Sequence, residues 1–226
     1  MPLAKNYSKG VELFSARQSI LGPGDLLYRL YRCFSDAKQF METTPVERLI
    51  RSLFADEANI RVLLPALAAG YHIGFMVENV RQIADELSIA AHQAGFSFNH
   101  SLSPSTIIAR ELGALRDRTV VPTTIFRAST GSAADASSVE AFIPKEKSEF
   151  VRKWIADEVV SHVGLTLANP SAFETVRRAF EAETFCIPAF MGGKPLSNSH
   201  QAVTVVYFDR VENGRKSRVE LLWQQT

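Results

Sequence analysis

Residues 72–79 read HIGFMVEN and residues 162–169 read HVGLTLAN. Both follow one pattern: His, a β-branched residue, Gly, a large apolar residue, and Asn at the end. Each run is short, apolar and rich in strand-favouring residues, so each is predicted to be a β-strand. A strand written twice constrains the fold strongly if its downstream elements are also written twice. After the first copy, Val80, Ile83, Ala84, Leu87 and Ala91 recur at helical spacing, and Gly95 closes that helix. FSFNHSL then reads as a strand, and TTIFRAS and SSVEAFIP as two more around a turn of small residues. After the second copy, SAFETVRRAFEAE places Phe173, Val176 and Phe180 on one helix face. TFCIPAF reads as a short strand, MGGKPLSNS as a loop, and HQAVTVVYFDR with SRVELLWQQ as a hairpin. Asn79 and Asn169 fall where each helix wants an N-cap. Each half is therefore β-α-β-β-β.

The rest of the chain departs from the repeat. SPSTIIARELGALRDR, with Ser103 or Ser105 near its start, reads as a helix inserted in the first half. Residues 1–70 read as helical. Asp25 is placed to cap DLLYRLYRCF, TPVERLIRSLF comes next, and EANIRVLLPALAAG runs to a stop near Gly70. The expected class is α+β: a helical extension over 1–70, a first module over 71–150 and a second over 151–226, with 71–226 acting as one functional domain.

Charge and composition narrow the partners. A net charge of +1, with no basic run, gives no electrostatic case for nucleic acid or a membrane surface. No apolar stretch approaches the roughly 18 residues that span a bilayer. MPLAKNYSKG lacks the order of a signal peptide. Cys33 and Cys186 alone make neither a disulfide framework nor a cysteine metal motif, which fits a reducing cytoplasm. The expected partner is a small molecule, bound by a monomer or homodimer.

Alternation along the strands locates the chemistry. Side chains two apart share a face. His72, Gly74 and Met76 therefore oppose Tyr71, Ile73 and Phe75, and His162 and Gly164 repeat this. On the last strands, Glu140 opposes Val139 and Ala141, and Glu220 opposes Val219 and Leu221. The aliphatic sets belong under helices, so the two His and two Glu face the other way, with glycines leaving room beside them. Taken alone, each His reads more readily as a satisfied core residue, and each Glu as an exposed residue paired with a lysine. Four at equivalent places in a repeat point instead to one divalent cation, Fe2+, Mn2+, Co2+, Ni2+ or Zn2+.

This arrangement resembles the vicinal oxygen chelate superfamily, which includes glyoxalase I, methylmalonyl-CoA epimerase, extradiol dioxygenases and bleomycin-binding proteins. The resemblance covers residues 71–226. It implies paired β-α-β-β-β modules forming a cupped mixed sheet around a metal site, with His72, Glu140, His162 and Glu220 as ligands. The helical extension and the inserted helix are not part of that pattern.

The resemblance implies chemistry on adjacent substrate oxygens, with the metal as Lewis acid. Four ligand-type positions favour a glyoxalase-like isomerase or lyase that moves a proton next to a carbonyl, with Glu140 or Glu220 as the base. If Glu140 is not a ligand, His72, His162 and Glu220 form the 2-His-1-carboxylate set of an Fe(II) dioxygenase acting on a 2-oxo acid or catechol-like substrate. A non-enzymatic resistance-type binding protein is the third reading, and helices of the extension serving as an interaction module a fourth. His200 is a candidate acid/base or a plain loop histidine. Arg127, Tyr207, Lys194 and Asn198 are candidate substrate contacts, with Ser197 beside them and Gly192 and Gly193 as hinges.

Overall fold

A computed structural model describes residues 13–117, 119–133, 136–146, 148–187, 203–212 and 215–224. The chain runs α1 (Arg17–Ile20), α2 (Leu26–Thr43), α3 (Val46–Leu53), α4 (Glu57–Leu63), β1 (Leu67–Met76), α5 (Ile83–Gln93), β2 (Phe98–Pro104), α6 (Thr106–Arg116), β3 (Thr123–Ser129) and β4 (Ser138–Pro144). It continues through α7 (Glu149–Ala156), β5 (His162–Leu167), α8 (Phe173–Ala182), β6 (Val203–Glu212) and β7 (Arg215–Gln224). The strands form one mixed sheet in the order β2-β3-β4-β1-β5-β7-β6. In each module the first strand runs parallel to the last, β1 with β4 and β5 with β7. The modules join where β1 meets β5 antiparallel. The sheet thus carries two copies of the same parallel strand pair, one on each side of the antiparallel β1–β5 junction.

Alternation sorts the faces as the sequence requires. Ile73, Phe75, Val139, Ala141, Val163, Leu165, Val219 and Leu221 are buried on one side, where the helices pack. Phe34 of α2 meets Phe75 edge-on at 5.7 Å and lies 6.0 Å from Phe96, at the end of α5. In the second module Phe180 of α8 stacks on Phe208 at 4.4 Å, and Phe54, just after α3, meets Phe180 at 4.9 Å. The N-terminal helices therefore cover parts of both modules. Tyr71 ties them to β1 by donating its hydroxyl to the Thr44 carbonyl at 2.8 Å.

Local signals explain most boundaries. Asp25 caps α2 by accepting from the Tyr28 amide at 2.8 Å. Gly95, at φ +89°, ends α5 in the left-handed conformation that glycine tolerates. Asn169 caps a short 3-10 turn leading into α8 and accepts from the Ser171 amide at 3.0 Å. Ser105 holds the N-cap position of α6 without a side-chain cap bond.

Four expectations are corrected. The helix from 57 stops at Leu63 and not near Gly70. Pro65 lies in a 3-10 turn over 64–66, and Leu67 pairs with Leu167; proline disfavours helix on its N-terminal side, and the sheet captures the residues beyond it. Asn79 does not cap α5, which starts at Ile83 behind Gln82 at φ 61°. TFCIPAF contributes a single bridge, Cys186 with Asp209, and its residues 188–190 lie outside the described residues. Finally, α7 spans the junction between modules at 150–151, where the sequence reading has no helix; its buried Val151, Trp154 and Ile155 have helical spacing. Among the described residues no helix is long and apolar enough to cross a membrane.

Candidate metal centre

Strand register brings the four residues together. Across β4, β1 and β5, Glu140 pairs with Gly74 and Gly74 with His162. Across β7, β5 and β1, Glu220 pairs with Gly164 and Gly164 with His72. Each glycine thus lies between one module's glutamate and the other module's histidine, and the imidazole leans over it. A Cβ on Gly74 would lie 2.2 Å from Cε1 of His162, and one on Gly164 would lie 1.8 Å from Cε1 of His72. The sequence reading has these glycines leave room beside the His and Glu side chains; the structure fills that room with the other module's imidazole.

The two Nε2 atoms face each other at 3.2 Å, with the rings perpendicular. His72 Nε2 lies 3.8 Å from Glu140 Oε2 and 3.7 Å from Glu220 Oε1. His162 Nε2 lies 3.3 Å from Glu220 Oε2. His72, His162 and Glu220 are buried, and the Glu140 side chain is 12% exposed. One ligand atom from each of His72, Glu140 and His162 falls within a common 4.8 Å, and Glu220 approaches this set through the two histidines.

These donors fit a divalent cation. Two nitrogens each about 2.1 Å from one ion lie about 3.0–3.4 Å apart for octahedral to tetrahedral angles, and the observed 3.2 Å falls within that range. His162 Nδ1 donates to the Val160 carbonyl at 2.8 Å. That bond leaves the Nε2 lone pair of the neutral ring facing the cluster, as a metal-binding histidine requires. Burial, and then the neighbouring charge of His72, lower the His162 pKa to about 3, so the ring is neutral at ordinary pH.

The carboxylates are held differently. Arg127, paired with Glu140 across β3 and β4, donates from Nε to Glu140 Oε1 at 2.6 Å and from Nη1 to Ser103 at 3.0 Å. Burial pushes the Glu140 carboxyl up, but the His72 and Arg127 charges outweigh it and hold it below the usual range. Burial first, with the Glu140 charge, raises Glu220 above that range, against the pull of His72 and the Tyr207 hydroxyl, which donates to it. Tyr207, cross-strand partner of Glu220, also meets the His162 ring edge-on at 5.3 Å.

Of the other candidates, Arg127 and Tyr207 lie at the cluster, both turned to its carboxylates. His200, Lys194, Asn198, Ser197, Gly192 and Gly193 lie outside the described residues. Sequence reasoning missed Arg218, which is 1% exposed and shares the face of Glu220, with its guanidinium 5.1 Å from the Tyr207 ring centroid. Its position two residues before Glu220 on the same strand is the signal that could have found it.

No family model matches the chain, and no curated protein matches it. Among solved structures, a methylmalonyl-CoA epimerase superposes with a TM-score of 0.42 at 12% identity, over 71% of this chain and 98% of its own. The methylmalonyl-CoA epimerase of Mycobacterium tuberculosis gives 0.37 at 11% identity, over 73% and 93%. A hypothetical protein from Bacillus halodurans gives 0.39 at 14%, over 69% and 93%. At such scores the likeness says nothing about activity. The resemblance to the vicinal oxygen chelate superfamily is seen in this chain's own strand order, in the junction of β1 with β5, and in the cluster that straddles it.

Proposed function

We propose that the protein is a divalent-metal enzyme of glyoxalase-like type that moves a proton next to a carbonyl of a small, oxygen-rich metabolite. The observation that carries this reading is the convergence of two imidazole nitrogens and two carboxylates, one of each from each module, within 3.2–3.8 Å on a buried face. A buried set of this kind with no cation would leave two carboxylates crowded beside the neutral His162 ring, which is unfavourable. His72, His162, Glu140 and Glu220 hold the metal. When bound, it polarises adjacent substrate oxygens and acidifies the neighbouring C–H.

The chain's own groups divide the remaining work. Glu140 is tethered by Arg127. Glu220 accepts from the Tyr207 hydroxyl, and one of the two carboxylates, released from the metal, moves the proton. The same tether favours a second reading. If Arg127 keeps Glu140 from the metal, His72, His162 and Glu220 remain as the 2-His-1-carboxylate set of an Fe(II) dioxygenase.

The test is metal content by mass spectrometry on protein purified anaerobically, without chelator or histidine tag, for the wild type, His72→Ala and His162→Ala. Near-stoichiometric metal is expected in the wild type and none in either variant, with helix content by circular dichroism unchanged. Full occupancy in both variants would overturn the ligand set. Nickel, cobalt, zinc or manganese, with deuterium uptake beside the carbonyl of 2-oxo acids in heavy water, supports the isomerase. Iron with dioxygen consumption supports the second reading. A wild type that takes up no metal on soaking would make the site a binding pocket only.

A further inference from the structure

The inserted helix α6 buries Ile108 and Leu112 and also reaches the site face through a charged side chain. Its Glu111, 2% exposed, reaches β7 of the other module and accepts from Arg218 Nη1, with both oxygens at 2.6 Å. The other edge of the same guanidinium is taken by Asp209, its cross-strand partner on β6: Nε to Oδ1 at 2.7 Å and Nη2 to Oδ2 at 2.9 Å. Lys216 Nζ completes the cluster from its solvent edge, 3.3 Å from Asp209 and 3.8 Å from Glu111. Two anions and one further cation thus surround one buried guanidinium. A buried network of this kind gives weak net stability compared with an apolar contact of the same volume, but it fixes orientation.

What is oriented is the guanidinium plane. With both edges committed, the central guanidinium carbon of Arg218 lies over the Tyr207 ring, 5.1 Å from its centroid. Tyr207 in turn packs perpendicular to the His162 ring and donates its hydroxyl to Glu220. We propose that Glu111 and Arg218 are positioning residues of the metal centre, a relay in which the inserted helix, through Arg218 and then Tyr207, sets the orientation of Glu220. The relay rests on the metal reading above. It gives α6, which lies outside the paired-module pattern, a role at a site it does not itself supply with a ligand.

The experiment is a titration with Co2+ alone against a competing chelator, monitored by the visible d–d bands, on the wild type, Glu111→Gln, Tyr207→Phe and the double variant. Groups that orient metal ligands are typically worth about 10–100-fold in metal affinity. Each single variant is expected to bind cobalt about 10-fold or more weakly with shifted bands, and the double variant no more weakly than Tyr207→Phe alone. A purely structural Glu111 would lower the melting temperature and leave affinity and bands as in the wild type; that result, or losses that add in the double variant, would overturn the relay. Should Glu111→Gln fail to fold, Arg218→Lys keeps the charge but loses the planar fork. It is expected to show the same cobalt deficit, and wild-type affinity there would equally sink the proposal. A wild type that binds no cobalt overturns the metal reading itself, an outcome distinct from either.

Discussion

At the scale of single residues, Gly74 and Gly164 show how register makes a site. Neither is needed for a turn. Each is glycine because an imidazole from the other module occupies the space a Cβ would take. Gly164→Ala would put that carbon 1.8 Å from the His72 ring. Backbone on both sides is fixed by β1 and β7 pairing, so the ring must swing away. The expected result is loss of metal with an apo protein destabilised by about 1–3 kcal/mol, the usual range for overpacking. Metal content and urea unfolding measure the two parts separately, and an alanine variant retaining stoichiometric metal would refute the reading. Part of this was legible in sequence: His-x-Gly twice on one face announces a site. The occupant of the glycine's space was not, because the pairing of β1 with β5 is a long-range fact that neither strand encodes alone.

At the scale of elements, the N-terminal helices are structural covers of the sheet. Phe34 of α2 is fully buried and touches Phe75, Phe96 and Phe126, so one ring joins the extension to β1, β3 and the end of α5. Phe34→Ala is expected to cost about 3–5 kcal/mol, measured by urea denaturation, without altering the donor set on the opposite face. A cost below about 1 kcal/mol would mean that the extension is only loosely docked. Helical periodicity and the Asp25 cap make α2 readable in advance. They cannot reveal the docking partner, because an apolar stripe fits any apolar face. The α7 helix shows the converse: the spacing of Val151, Trp154 and Ile155 is plain in the chain, but a module boundary placed at 150–151 cuts through it.

For the whole molecule, the buried cluster couples stability to pH. The folded His162 takes a proton only near pH 3, against the ordinary imidazole value of 6.5. Between those values the unfolded chain binds a proton that the folded chain refuses. Stability of the metal-free protein should therefore fall as pH drops below about 6.5, by up to about 1.4 kcal/mol per pH unit from this group. Melting temperatures from pH 8 to 4.5 would show the decline, and His162→Gln should flatten it; an equal decline in the variant would assign the effect to other groups. Metal competes with the same protons, so the loaded protein should release its ion over the acidic range.

The order of amino acids was enough to dictate the repeat, the mixed α+β class and the face on which His72, Glu140, His162 and Glu220 stand. Those come from periods of two and of 3.6 residues, which are local and need no partner. It took the folded arrangement to make Arg127 the tether of Glu140, to give Tyr207 to Glu220, and to bury Glu111 of an inserted helix against Arg218. Those choices depend on which strands become neighbours and in what register. The free energy that sets them is spread over the whole buried sheet and written in no single stretch of chain.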